Sequence, residues 1–258
     1  MAKRSSRDVA HARLPEATIE PFVRPEWHPL GGGHDRGHDR DGARESGGRE
    51  QSYLRTVRPQ SDNQRALMAA IQKYHLTLAL GPAGTGKTYL AVSAAVEALE
   101  ANRVGRIVLT RPAVEAGENL GFLPGDLIDK LAPYLRPLYD ALNERMGGKR
   151  VRQLMTEGAI EIAPIAYMRG RTLNNAFVVV DEAQNCTYGQ IKMVLTRLGW
   201  HSTMVVTGDP DQSDLLAGMS GFEETARRLS VIDDIAVVRL DDRDIVRHPL
   251  VGEMLGVL

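Results

Sequence analysis

Short apolar segments separated by longer amphipathic stretches dominate the chain from about residue 59 onward. Most of the short segments lack the alternation of apolar and polar residues that a half-solvated strand shows. Continuous apolar segments of this length are typical of strands buried on both faces of a parallel sheet. The predicted strands are Leu76 to Leu80, Arg106 to Thr110, Ile160 to Ala163, Phe177 to Val180, Met204 to Thr207 and Ile235 to Arg239.

Helical patterns lie between most of these strands. Ser61 and Asp62 offer an N-cap for the segment NQRALMAAIQKY, and residues 87–101 are rich in alanine with apolar residues at helical spacing. Strands that alternate with helices predict an α/β fold, in which helices cover both faces of a mostly parallel sheet. Residues 56–258 are long enough for one such domain.

Two segments depart from this alternation. Residues 1–55 are rich in Gly, Asp, Arg and His and almost free of aliphatic side chains, so we expect a disordered tail. His34 and His38 would have to lose much chain entropy to bind a metal there, which favours a solvated tail. Residues 113–158 form an unusually long insertion between the second and third predicted strands. Either a functional segment or a helical packing subdomain explains the insertion.

The composition excludes several classes of protein. The formal net charge is -1, so a nucleic-acid surface would have to be a local patch. Cys186 is the single cysteine, which excludes an internal disulfide framework and fits a reducing compartment. No apolar stretch approaches the roughly 20 residues that span a bilayer. We therefore expect a cytoplasmic protein without membrane contact.

A glycine-rich segment between the first strand and the following helix matches the pattern G-x-x-x-x-G-K-[ST]. The glycines permit a tight turn whose backbone N–H groups surround phosphate oxygens, and the helix N-terminus adds positive charge. The lysine reaches the β- and γ-phosphates, and the final threonine ligates Mg²⁺. The predicted phosphate-binding loop consists of Gly81, Pro82, Ala83, Gly84, Thr85, Gly86, Lys87 and Thr88.

A second motif, AFVVVDEAQNC, places two carboxylates at the end of a buried strand. Ligands of open α/β sheets bind at this edge. We expect Asp181 to hold Mg²⁺, directly or through water, and Glu182 to orient or deprotonate an attacking water. Gln184 and Asn185 belong to the same turn.

A third motif, GDPDQ, follows the fifth predicted strand. It resembles the third motif of superfamily 1 helicases, which implies that Gln212 senses the γ-phosphate. The same resemblance implies that Gln64 contacts the adenine edge. The chain has no N-K-x-D sequence for guanine, so ATP is the favoured nucleotide.

These motifs, together with TRPAVEAGENLGFLPGDL and DIVRHPLV, resemble the PhoH family of phosphate-starvation-associated P-loop ATPases. The resemblance covers about residues 59–254 and implies a RecA-like ATPase core related to superfamily 1 helicases. It also implies ATP and Mg²⁺ as ligands and a link to RNA. Aromatic residues are sparse, so the expectation of RNA rests on the resemblance alone.

Several arginines are candidates for contacts with phosphate groups. Arg247, Arg169 and Arg171 could contact the γ-phosphate in cis or across a subunit interface, as an arginine finger does. Arg169 and Arg171 are also candidate nucleic-acid contacts. Arg111 lies where helicase relatives touch the nucleic-acid backbone. Surface ion pairs are the alternative for each candidate.

The main functional hypothesis is an ATP hydrolase coupled to binding or remodelling of single-stranded RNA. The alternative is a nucleotide-gated binding switch that acts on a protein or RNA partner and hydrolyses ATP slowly. A phosphotransferase that acts on a small metabolite would have no obvious use for Gln212. Because superfamily 1 helicases bind ATP between two lobes and this sequence supplies one, we expect a head-to-tail homo-oligomer, such as a ring of six.

Overall fold

The computed structural model describes residues 57–112, 127–216 and 218–246. The predicted tail, the His34 and His38 pair and Arg247 lie outside the described residues. In chain order the described helices and strands are α1 (Asp62–Lys73), β1 (Leu76–Leu80), α2 (Lys87–Glu100), β2 (Arg106–Arg111), α3 (Leu127–Met146), α4 (Gly148–Thr156), β3 (Ile160–Pro164), β4 (Ala176–Val180), α5 (Tyr188–Leu195), β5 (Thr203–Gly208), α6 (Phe222–Leu229) and β6 (Ile235–Arg239).

The six predicted strands form one sheet in the order β3-β2-β4-β5-β1-β6, and every neighbouring pair is parallel. The observed strands match the predicted ones to within one residue at each end. Because the strands are parallel, all six carboxyl ends meet at one edge of the sheet. The register aligns Leu80 with Gly208 and Thr110 with Val180, and Val180 lies opposite Val206, so the ends of the four central strands lie within two residues of one another.

Helices cover both faces of the sheet, as predicted for the RecA-like α/β class. Alternate strand residues such as Leu78, Val178 and Val206 pack against side chains of α5 and α6, including Ile191 and Phe222. Helix α2 contacts α1 and α3, and α3 also contacts α4. All four helices lie against strands of the sheet as well. The side chains of the four central strands point to both faces and are almost all buried, which explains why their sequences show no alternation.

The start of α1 follows the predicted capping pattern. The Ser61 hydroxyl oxygen accepts a hydrogen bond from the backbone N–H of Gln64 at 3.1 Å. Such a cap satisfies one of the free N–H groups of the first turn and contributes about 1 kcal/mol. The cap fixes where α1 begins.

The described part of the predicted insertion is the crossover connection between β2 and β3. Helix α3 packs against α2, β2 and β3, and α4 packs against α3 and β3. Leu138 and Leu142 of α3 are fully buried, and Pro133 and Pro137 lie within the helix. Helices α3 and α4 therefore pack against the sheet and α2, while a functional role of the insertion stays a prediction. Residues 113–126 lie outside the described residues.

Among the described helices, none is both long enough and apolar enough to cross a membrane.

Candidate nucleotide site

The glycine-rich loop begins where β1 ends, and its first glycine has no room for a side chain. Gly81 has φ +149°, and a Cβ atom there would lie 2.5 Å from the carbonyl oxygen of Leu240. This close approach arises because β6 pairs with β1 along its whole length. The loop must therefore leave the sheet through a glycine.

The loop ends by opening directly into α2. Gly86 occupies the N-cap position with φ 81°, and no side chain caps the helix. The first N–H groups of a helix lack partners within the helix, and the helix dipole places partial positive charge beside them. A left-handed glycine followed by an uncapped helix is therefore a ready-made site for phosphate oxygens.

Lys87 places its ammonium group against the loop. The side chain is buried, and Nζ donates hydrogen bonds to the carbonyl oxygens of Gly81 at 2.6 Å and Pro82 at 2.7 Å. Burial lowers the pKa of Lys87, while the charges of Asp209, Glu182 and Asp181 act in the opposite direction. Three carboxylates thus surround a single ammonium group, which they help to keep charged.

Two hydroxyl groups converge on one carboxylate oxygen at the end of β4. The hydroxyls of Thr88 and Thr207 donate to Oδ1 of Asp181 at 2.6 Å and 2.7 Å. Mg²⁺ prefers oxygen ligands and usually combines one or two carboxylates with waters and substrate phosphates. A threonine hydroxyl beside a carboxylate fits that donor set, so Thr88 and Asp181 are the residues that would hold Mg²⁺.

Glu182 follows in a left-handed conformation, with φ 53° and ψ 44°. This conformation is uncommon for a residue other than glycine, and it turns the chain sharply out of the strand. The Gln184 side-chain amide donates to Oε2 of Glu182 at 2.5 Å. The guanidinium of Arg111 lies 3.5 Å from Oε1. The carboxylate is therefore contacted on both oxygens.

Asp209 connects β5 to the loop. Its Oδ2 accepts a hydrogen bond from the backbone N–H of Ala83 at 3.0 Å, and its own N–H donates to Oε1 of Gln184 at 3.0 Å. Gly208 makes this packing possible, since a Cβ atom there would lie 2.7 Å from Oε1 of Gln184. The three motifs thus form one hydrogen-bonded network.

A pocket of about 280 Å³ lies between the loop and the two strand ends. Its walls include most of the predicted residues, namely Ala83, Gly84, Gly86, Lys87, Thr88, Asp181, Glu182 and Gln212. Gln212 is exposed at the rim. Another cleft, of about 230 Å³, lies among α1, α2 and the starts of β4 and β5, and none of the predicted residues lines it.

Gln64 lies beneath the loop, and it is not among the residues that line the pocket. Its amide donates to the carbonyl oxygen of Thr85 at 3.1 Å, and its Oε1 accepts from the backbone N–H of Gln60 at 2.7 Å. These bonds support the loop backbone. Contact with the adenine edge stays a prediction.

Two of the candidate arginines lie away from this pocket. Arg171 forms a bidentate ion pair with Glu161 of β3, with both distances 2.7 Å, and these hydrogen bonds raise the pKa of Arg171. The pair joins the segment after β3 to the edge strand of the sheet. Arg171 thus forms an ion pair, which the sequence analysis gave as the alternative to a phosphate contact. Arg169 is exposed, and its proposed contacts with phosphate groups stay predictions.

Sequence reasoning missed the contacts that connect the motifs. The sequence places Thr207 only in a strand, although a hydroxyl near the end of an otherwise apolar strand can indicate a residue of the site. It places Gln184 in the turn after β4 without giving it a role. Their partners lie on neighbouring strands, which the sequence of one segment does not reveal.

The sequence profile described as "PhoH-like protein" matches residues 56–258 of the chain. The PhoH-like protein of Bacillus subtilis is 54% identical over 202 residues, which are 78% of this chain and 63% of that protein. Protein PhoH of Escherichia coli K12 is 46% identical over 186 residues, which are 71% of this chain and 52% of that protein. The chain therefore spans only part of the length of these relatives.

Among solved structures, the SWI2/SNF2 ATPase core of Sulfolobus solfataricus in complex with dsDNA aligns with 76% of this chain and 47% of its own chain. The sequence identity is 15% and the TM-score is 0.46. The profile match and the identities to curated relatives confirm the resemblance seen in the motifs. The chain belongs to the PhoH-like protein family.

Proposed function

We propose that this protein is a Mg²⁺-dependent ATP hydrolase whose turnover is coupled to binding of single-stranded RNA. The observation that carries the proposal is the convergence of Lys87, the Thr88 and Asp181 pair, and Glu182 on one pocket at the carboxyl edge of the sheet. This set provides a phosphate cradle, a magnesium ligand set and a candidate base.

Each residue has a defined part in the proposed reaction. The loop N–H groups and the Lys87 ammonium bind the β- and γ-phosphates, and Thr88 and Asp181 hold Mg²⁺. Bound there, Mg²⁺ would neutralise charge that develops on the phosphate oxygens. Glu182 accepts a proton from the water that attacks the γ-phosphorus, and Gln212 at the rim responds to loss of the phosphate.

The proposed coupling to RNA draws on Arg111, the last residue of β2, which lies at the same edge of the sheet as Glu182. An arginine matches phosphate oxygens well because its guanidinium offers several donors in a planar arrangement. Arg169, which is exposed, is a further candidate. The cytoplasmic location is likewise an expectation from the sequence.

The proposal includes a homo-oligomer in which a neighbouring subunit completes the ATP site. Lys87 is the one Lys or Arg among the described residues that line the pocket. An arginine finger from the next subunit would add the missing transition-state charge. Light scattering together with ATPase assays across a dilution series tests this part. A monomer with full specific activity would contradict it.

The most informative experiment measures steady-state ATP hydrolysis with and without single-stranded RNA, and with DNA of the same sequence. An RNA-coupled hydrolase turns over faster when RNA is added. If hydrolysis is slow and unaffected by RNA while ATP still binds, the nucleotide-gated switch replaces this proposal.

A further inference from the structure

The carboxylate of Glu182 is held from two sides by side chains whose surroundings differ. On one side Gln184 donates to Oε2 at 2.5 Å, and on the other the Arg111 guanidinium lies 3.5 Å from Oε1. The position of the base is therefore set jointly by these two residues. The surroundings of Gln184 and Arg111 indicate which of the two contacts breaks more easily.

The Gln184 contact is rigid. The residue is buried, and the far end of its amide accepts a hydrogen bond from the backbone N–H of Asp209 at 3.0 Å. Its backbone carbonyl also accepts from the hydroxyl of Ser213 at 3.0 Å. Moving Gln184 would break buried hydrogen bonds and leave polar groups without partners. Gln184 is thus a fixed support for the base.

The Arg111 contact is weak and accessible. The side chains of Arg111 and Glu182 are 21% and 35% exposed, and their 3.5 Å separation is longer than a good hydrogen bond. Solvent screens such a pair, so a competing anion displaces it at little cost. The backbone next to the pair is fixed, because the N–H of Asp181 donates to the carbonyl oxygen of Thr110 at 2.8 Å. Only the side chain has to move.

We propose that Arg111 restrains the base Glu182 and releases it when a nucleic-acid phosphate takes over the guanidinium. The exchange replaces one anionic partner of Arg111 by another, so the guanidinium stays paired while the Glu182 carboxylate keeps only its contact with Gln184. An RNA strand held at several points presents its phosphates at high local concentration, which favours the exchange. This inference rests on the proposed function, because it identifies the step through which RNA would act on hydrolysis.

The restraint makes a prediction that other roles of Arg111 do not share. If Arg111 only bound RNA, loss of its charge would leave the RNA-free rate unchanged. If it stabilised the transferred phosphate, loss of its charge would lower that rate. A restraint on the base predicts a faster RNA-free rate, by about two- to fivefold for an ion pair of this exposure.

The experiment compares steady-state ATPase activity of the wild type, Arg111→Gln and Arg111→Lys, each with and without poly(U) RNA. Arg106→Gln is the matched control, since it removes the same charge from the opposite end of the same strand. We expect Arg111→Gln to hydrolyse ATP about two- to fivefold faster without RNA, with an unchanged KM, and to gain little from RNA. Arg111→Lys keeps the charge and is expected to retain part of the stimulation, and Arg106→Gln to behave as the wild type.

The results separate this inference from the proposed function. A wild type that ignores poly(U) contradicts RNA coupling, while a faster RNA-free rate in Arg111→Gln would still support the restraint. If the wild type is stimulated and the RNA-free rate of Arg111→Gln is equal to or below the wild-type rate, the restraint is wrong. Arg111→Met, which keeps the apolar stem, gives the same comparison if the glutamine variant does not fold.

Discussion

Thr207 provides a sharp test of how the site is built, because its role emerged only from the three-dimensional arrangement. Its hydroxyl is fully buried and donates to Oδ1 of Asp181 at 2.7 Å. Thr207→Val removes this donor and leaves the shape of the side chain nearly unchanged. Thr88 still donates to the same oxygen at 2.6 Å, so the carboxylate loses one of two hydroxyl partners.

The size of the effect follows from these contacts. A hydrogen bond to a charged group contributes about 1.5–3 kcal/mol, and water cannot replace a donor at a site without solvent access. Losing an outer partner of a metal ligand typically lowers metal affinity or activity by about 10- to 100-fold. We therefore expect Thr207→Val to bind ATP about 10- to 100-fold more weakly when Mg²⁺ is present. Without Mg²⁺, we expect its affinity for ATP to change much less.

Isothermal titration calorimetry of ATP with and without Mg²⁺ measures this difference directly. Thr77→Val is the matched control, because Thr77 is equally buried in the adjacent strand β1 and its hydroxyl has no hydrogen-bond partner. We expect the control to bind normally and to be as stable as the wild type or more so, since it removes an unsatisfied buried hydroxyl. Equal Mg²⁺-dependent binding by Thr207→Val and the wild type would refute the assigned role of Thr207.

Three further predictions concern the loop and the core. Lys87→Ala is expected to weaken ATP binding by roughly two orders of magnitude, measured by calorimetry, because it removes the charge that is proposed to bind the phosphates. Gly81→Ala is expected to lower the unfolding temperature, since its Cβ atom would lie 2.5 Å from the Leu240 carbonyl oxygen, whereas Gly189→Ala meets nothing within 4 Å and is expected to be neutral or stabilising. Burial raises the pKa of Cys186 to about 12, so the unfolded state loses the thiol proton first and stability falls as pH rises above 9. In denaturant titrations, Cys186→Ala is expected to reduce that loss by up to about 1.4 kcal/mol per pH unit, and equal pH slopes would contradict it.

The strands and the phosphate-binding loop could be predicted because their determinants are local. The segment of β1 is continuously apolar, and the loop that follows it has a fixed spacing of glycines and a lysine. Asp181 and Glu182 were predicted because a buried strand has to end at a solvent-accessible edge. In each case the segment itself carries the information.

The connections between segments could not be predicted in the same way. Gln184 links Glu182 to Asp209, and this link depends on β4 and β5 being neighbours in the sheet. Arg171 pairs with Glu161 because the chain that follows the edge strand β3 folds back onto it. Such contacts depend on strand order and side-chain conformation, which the pattern of apolar and polar residues does not specify.

The central claim is that Glu182 acts as the base of an ATP hydrolase. Glu182→Gln keeps the size of the side chain and removes its capacity to accept a proton, so it tests the claim most directly. Single-turnover hydrolysis and calorimetric ATP binding are measured on the same preparation. We expect ATP binding within a fewfold of the wild type, and hydrolysis slower by about 10²- to 10⁴-fold. Near-normal hydrolysis by Glu182→Gln would show that Glu182 is not the base.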